Sequence, residues 1–206
     1  PELNRVGFDD DGLVVGAALP LTELDEFIVE AERRLPTERC RAFHEIHKVL
    51  QLFACRQVRN VACVGGNLAT ASPTSDLAPI FVACNAVVTV QSAARGVRRV
   101  AIDDWFVGYR KVALEPDEVI LHVHVPYTRA NEYIADYKVA RRKEDDIHLV
   151  NACFRVVLKQ TDQPIIIAPP TNTSSSAEAG AKWTNPLIPR FGTTPKDAAA
   201  DEFKPE

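Results

Sequence analysis

Methionine is missing from all 206 residues. The chain opens on Pro1-Glu2-Leu3-Asn4, with neither an initiator residue nor the apolar stretch of a secretion signal. Both features predict a piece of a longer protein. Long apolar runs are also missing, and none approaches the roughly 20 residues of a membrane-spanning helix. An excess of positive charge is absent. The 24 basic and 28 acidic side chains leave a net charge of −4, which gives nucleic acid or an anionic membrane no electrostatic hold. Cysteines are few, odd in number and scattered, at Cys40, Cys55, Cys63, Cys84 and Cys153, with no C-x-x-C pair. That argues against a disulfide framework and against a zinc or iron–sulfur site built from this chain alone. Free thiols fit a reducing compartment, so the cytoplasm is expected. What is present is ordinary. Hydrophobic residues at 46% and charged residues at 25% match a soluble globular chain, long enough for one large domain or two small ones.

Residues 12–19, an apolar run stopped by Pro20, predict a buried strand. Thr22 reads as the N-cap of a helix reaching about Arg34, with Leu24, Phe27, Ile28 and Ala31 at helical spacing. Pro36 separates it from a second helix over 37–53, striped by Cys40, Phe43, Ile46, His47, Leu50 and Phe53. Residues 57–79 lack helical period, and Asp76 reads as the cap of a short helix into Ala83. Strands are predicted at 86–91, 98–102 and 119–125. In the last, Val119, Leu121, Val123 and Val125 alternate with Ile120, His122 and His124. Two more, at 133–140 and 148–158, flank the charged turn Arg141-Arg142-Lys143-Glu144-Asp145-Asp146, which by itself reads as a solvated hairpin turn. Helices early and antiparallel strands late give the class α+β. From about Lys159 the chain is rich in Pro, Ser, Thr and Ala without periodicity, so 159–206 is expected to be a low-complexity, disordered tail.

Chemistry concentrates in one stretch, Gln57-Val58-Arg59-Asn60-Val61-Ala62-Cys63-Val64-Gly65-Gly66-Asn67-Leu68-Ala69-Thr70-Ala71-Ser72-Pro73-Thr74-Ser75-Asp76-Leu77. Adjacent glycines permit a turn with positive φ and let a ligand approach the main chain. Successive N–H groups in such a turn suit a pyrophosphate. Asn67, Thr70, Ser72, Ser75 and Asp76 could serve a ribose or a polar ring edge. By physics alone this is a possible phosphate loop or simply a tight turn. Elsewhere, His122 and His124 share a strand face and His44 and His47 a helix face. Without a third ligand in register these read as solvated faces, not metal sites. Lys138, between Tyr137 and Val139, reads as an exposed strand lysine.

The string resembles the flavin-binding loop of the xanthine dehydrogenase family of molybdenum hydroxylases, which runs R-x-V-A-S-x-G-G-N and then T-A-S-P-x-S-D-L. Phe106-Val107-Gly108-Tyr109-Arg110-Lys111 is similar to that family's F-x-x-Y-R-K segment. Glu118-Val119-Ile120-Leu121 with Pro126-Tyr127 resembles its next strand, and Lys138 followed by residues 141–147 its R-R-E-D-D-I loop. The resemblance spans about 1–158. Aldehyde oxidases differ at Asn67 and around 70–73.

The resemblance implies part of an FAD-binding domain of the PCMH, or vanillyl-alcohol-oxidase-like, type over 1–127. The start of an antiparallel C-terminal flavoprotein subdomain would follow over 128–158. It implies FAD contacts from Cys63, Val64, Gly65, Gly66 and Asn67 around the pyrophosphate, and from Phe53, Asp76, Ile120 and Lys138, with Ala69 and Thr70 near the ring-facing end. Tyr109 would lie on the NAD side, and Asp145 in the charged loop that helps decide whether NAD or dioxygen meets the reduced flavin. No residue is implied as general acid or base, and none as a metal ligand. Iron–sulfur clusters and molybdopterin would belong to partner domains of a larger, homodimeric enzyme hydroxylating purines, in the cytoplasm or alternatively the peroxisome. Two departures stand out. Cys63 replaces the usual Ser, exchanging a hydroxyl for a weaker thiol. The family's first flavin loop would lie upstream of Pro1, so this chain is expected to bind FAD weakly or not at all. Alternatives are a segment of a stand-alone FAD oxidoreductase and a non-functional remnant.

Overall fold

The computed structural model describes residues 2–159. A short turn of 3-10 helix leads into β1 (Val6–Phe8) and β2 (Gly12–Gly16), then helices α1 (Leu21–Arg34) and α2 (Thr37–Leu52). Three short helices follow: α3 (Arg56–Arg59), α4 (Val64–Thr70) and α5 (Ala78–Ala83). Strands β3 (Val87–Ser92) and β4 (Gly96–Ala101) precede α6 (Ile102–Trp105), β5 (Phe106–Gly108) and β6 (Lys111–Val112). The chain continues with β7 (Glu118–Pro126), β8 (Glu132–Val139) and β9 (Val150–Val157). Helices come first and antiparallel pairs dominate the later half, which is the α+β arrangement expected. The low-complexity segment, from residue 160 onward, lies outside the described residues.

The main sheet has the order β1-β2-β7-β3-β4, with every neighbouring pair antiparallel. Its core face carries Leu13, Val15, Val88, Val90, Val123 and Val125, packed with Leu24, Ile28, Phe43, Ile46 and Leu50 of α1 and α2. The apolar residues of both helices recur every three to four positions and so form one stripe each. A bulge changes the expected face of β7. Thr89 pairs with His122 but Val90 pairs with Ile120, leaving Leu121 as the extra residue. One extra residue reverses the alternation beyond it. Ile120 therefore joins Val123 and Val125 in the core, while Val119 is 55% exposed.

Three local readings need correction. α1 begins directly after Pro20, which serves as its cap residue. Thr22 lies inside the helix and its hydroxyl donates to Asn60 Oδ1 at 2.7 Å. Residues 57–79 are not devoid of helix, since α3 and α4 lie there. The strand face of His122 and His124 is not simply solvated either, because His124 is buried with Nε2 3.2 Å from Asp9 Oδ1. On α2, His44 and His47 each meet a carboxylate of α1, Glu32 at 3.0 Å and Asp25 at 2.7 Å. Among the described residues no helix is long and apolar enough to cross a membrane.

The β8–β9 hairpin forms a sheet of its own and packs against α2 and α5. Arg41 of α2 fastens it by donating Nη1 to the carbonyls of Arg129 and Ala130 at 3.1 and 3.0 Å. This docking brings the loop between β8 and β9 beside the stretch that runs from α4 to α5.

Candidate functional site

The glycine pair does not make a tight turn with positive φ. Gly65 and Gly66 lie in the first turn of α4, and the glycine with positive φ among the described residues is Gly96. Cys63 caps the helix, its Sγ accepting the Gly66 N–H at 3.4 Å. Val64 and Leu68, four apart, face the core. Ala71, left-handed at φ 46°, ends the helix. Helix α4 thus packs against β2 and β7.

Each glycine is there for a separate reason. A Cβ on Gly65 would stand 2.7 Å from the Ala17 carbonyl oxygen and 2.8 Å from Ala17 Cβ, so α4 lies flush on the chain leaving β2. The Gly65 N–H donates to that carbonyl at 2.9 Å. Gly66 is exposed, and a Cβ there would meet only Cys63 Sγ at 3.3 Å. The outer side of the turn is bare backbone, with an N–H held only by a weak sulfur acceptor. That surface fits a phosphate oxygen approaching the main chain. Other polar groups of the stretch already have partners. Asn67 N–H donates to the Cys63 carbonyl, Thr70 Oγ1 donates to the Gly66 carbonyl at 2.7 Å, and Ser75 Oγ to Asn67 Oδ1 at 2.7 Å.

Asp76 does not cap α5. Leu77 holds the N-cap position, and Ser75 Oγ accepts from the Ala78 N–H at 3.2 Å. The Asp76 carboxylate points the other way, into a buried ion pair. Lys138 Nζ lies 2.7 Å from Oδ2 and His148 Nδ1 lies 2.8 Å from Oδ1. Lys138 is therefore no exposed strand lysine, since its side chain is 4% exposed and that of Asp76 7%. Phe53, Thr74, Asp76, Asp145, Asp146 and Ile147 line a cleft here of about 160 Å³. That is room for the edge of a ring system, not for a dinucleotide. Arg59 fixes the wall, donating Nη1 to the carbonyls of Phe53 and Ala54 at 2.6 and 2.8 Å. The opposite lip is the β8–β9 loop. There Asp145 has φ 52°, Arg142 Nη2 donates to the Asp145 carbonyl at 3.2 Å, and the Asp146 carboxylate accepts the Arg142 and Ile147 N–H groups.

Tyr109 sits apart from Asp145. It is 78% exposed at the tip of the β5–β6 hairpin, facing a larger cleft of about 440 Å³ with Ser72, Pro73, Ser75, Phe106 and Cys153. The loop of residues 71–76 runs between the two clefts and lines both. Burial, with the nearby Asp136 carboxylate, pushes the Cys153 thiol up to about 12, so it stays protonated and is no nucleophile. Ile120 is buried in the core of β7. The named residues thus divide among the α4 surface, the Phe53 cleft, the Tyr109 cleft and the interior. Sequence reasoning missed His148 and Arg59. A histidine one position beyond the Asp-rich string was visible, but its partner lies 72 positions earlier.

The family described as FAD binding domain in molybdopterin dehydrogenase matches residues 1–128. The chain is 41% identical to xanthine dehydrogenase 2 of Arabidopsis thaliana over 171 residues, covering 82% of this chain and 12% of that protein. It is 39% identical to xanthine dehydrogenase of Emericella nidulans over 196 residues, covering 90% of this chain and 14% of that one. It thus spans a small part of the relatives it matches. Among solved structures, quinoline 2-oxidoreductase from Pseudomonas putida 86 superposes with a TM-score of 0.62 at 26% identity, over 77% of this chain and 51% of that chain. A CO dehydrogenase chain from Oligotropha carboxidovorans superposes at 0.65 with 21% identity over the same shares, a likeness of fold.

Proposed function

The chain belongs to the family of FAD-binding domains in molybdopterin dehydrogenases, and from that premise we propose that it is the flavin-holding segment of a xanthine dehydrogenase-like enzyme. The observation that carries the reading is the bare, solvent-facing backbone at Gly66 on the helix-starting turn of α4. When bound there, FAD would supply the redox chemistry, taking electrons from iron–sulfur centres and passing them to NAD or dioxygen. The protein's share is binding and orientation. Residues Cys63–Asn67 hold the pyrophosphate by main-chain approach, with Thr70 at the end of the same exposed face. Phe53 offers an apolar wall for a ring edge, opposite the lip that carries Asp145. Asp76 and Lys138 fix the polar end of that cleft as a neutral pair. Ile120 acts from the core, as a buried residue of the strand β7 on which α4 packs. Tyr109, across the loop of residues 71–76, faces the approach of the nicotinamide. The β8–β9 hairpin opens a second subdomain. Iron–sulfur and molybdopterin domains, a homodimeric assembly and purine hydroxylation belong to the larger enzyme.

Titrating FAD into the chain by fluorescence quenching tests this. Gly66→Val puts a branched side chain on the open backbone without entering the core. Affinity should fall about a hundredfold, near 2.7 kcal/mol, while circular dichroism stays unchanged. Equal binding by both forms would mean that the turn serves only the fold.

A further inference from the structure

The two stems of the β8–β9 loop meet on one carboxylate. Lys138 lies in β8 and His148 just ahead of β9, so the loop carrying Asp145 and Asp146 leaves and returns through them. Each takes a different oxygen of Asp76, at 2.7 and 2.8 Å, and all three side chains are no more than 10% exposed. Lys138 alone neutralises Asp76. A second donor does something further: a carboxylate held at one oxygen can swivel about its Cβ–Cγ bond, whereas one held at both has its plane fixed. It also ties the returning stem to the same point as the departing one. At the neck of the loop the Leu149 N–H donates to the Val139 carbonyl at 2.7 Å, so the stems are already paired there. The His148 bond anchors that pair to the segment between α4 and α5.

We propose that His148 is a positioning residue of the flavin site, holding Asp76 in a fixed orientation and the Asp145 lip against the Phe53 cleft. The role rests on the flavin reading of that cleft and extends it to a residue that touches no ligand itself. His148 acts through Asp76, so its effect on flavin binding should exist only while Asp76 can be held.

The test is FAD titration of the chain by fluorescence quenching, with circular dichroism on every variant. His148→Ala removes one hydrogen bond to a charged group and should weaken FAD binding about tenfold. His148→Asn, whose side-chain amide can stand where Nδ1–H does, should restore binding to within about twofold. In the Asp76→Asn background, His148→Ala should add almost nothing, the signature of two residues acting as one unit. A merely structural histidine would lower thermal stability in both His148 variants and would keep its full penalty beside Asp76→Asn. Unchanged affinity in His148→Ala, no rescue by Asn, or additivity with Asp76→Asn each overturns the proposal. A parent chain that binds FAD while Gly66→Val binds equally well overturns the flavin reading and this role together. A parent that binds while His148→Ala binds equally well overturns this role alone.

Discussion

Cys63 does the work of an N-cap with an atom poorly suited to it. Caps are ordinarily oxygen, because a hydroxyl or carboxylate accepts an N–H more strongly than a thiol does. Here Sγ stands 3.4 Å from the Gly66 nitrogen, so the outermost N–H of the turn is only loosely engaged. Cys63→Ser should therefore strengthen the cap and raise stability by about 0.5–1 kcal/mol, seen as a higher midpoint in thermal denaturation. A lower midpoint would mean that the packing of the larger sulfur, half-buried where Cys63 bridges to Pro20, outweighs its weakness as an acceptor. Arg59 is the complementary case. Its guanidinium never reaches the cleft, yet by binding the Phe53 and Ala54 carbonyls it holds Ala54 at φ 44°, a conformation that costs a non-glycine residue free energy.

At the scale of elements, α4 separates what the glycines do. Gly65→Ala forces a Cβ into the Ala17 backbone, so α4 must lift from β2. A loss of about 1–3 kcal/mol is expected, with a matching fall in denaturation midpoint. Gly66→Ala meets only a movable thiol and gains helix propensity, so stability should stay level or rise by up to about 1 kcal/mol. If both variants lost stability alike, the outward face of α4 would be packed rather than open. The same helix marks the limit of what sequence reveals. Helices α1 and α2 are legible because Leu24, Ile28, Phe43, Ile46 and Leu50 repeat at helical spacing over long stretches. α4 is hidden because two glycines, an alanine and polar residues leave only Val64 and Leu68 to show a period. The β7 faces were misread because a bulge at Leu121 leaves no mark in an apolar run. The polar string of the site was legible as a string. That Asp76 would face Lys138 and His148 was not, since that meeting depends on how the β8–β9 hairpin docks on α2 and α5.

For the whole molecule, that docking carries a charge cost that should appear in the pH dependence of stability. Asp136, on the inner face of β8, is 2% exposed. Its N–H donates to Glu45 Oε2 at 2.8 Å, while its own Oδ1 has no partner among the described residues. Burial, and then the Glu45 carboxylate, raises its pKa from the ordinary 3.8 to about 6. An acid that binds its proton more tightly when folded favours the folded state only while protonated. Its penalty is absent below about pH 4, grows as pH rises, and is complete above about 6. Glu118 behaves oppositely. Hydrogen bonds from Arg98 at 2.6 Å and from the Glu115 N–H at 2.9 Å hold it down to about 2. Its contribution is complete above about 4.5 and is lost as pH falls through 2. The two windows share only the narrow range between about pH 4 and 4.5, so variants can separate them. Asp136→Asn should raise the denaturation midpoint at neutral pH, by about 1–3 kcal/mol or several degrees. The gain should vanish near pH 4. Glu118→Gln should lower the midpoint at neutral pH and match the parent near pH 2. If Asp136→Asn destabilised the chain at neutral pH, the carboxylate would be charged and partnered, and the hairpin would be seated on α2 by an interaction that its unpaired Oδ1 does not provide.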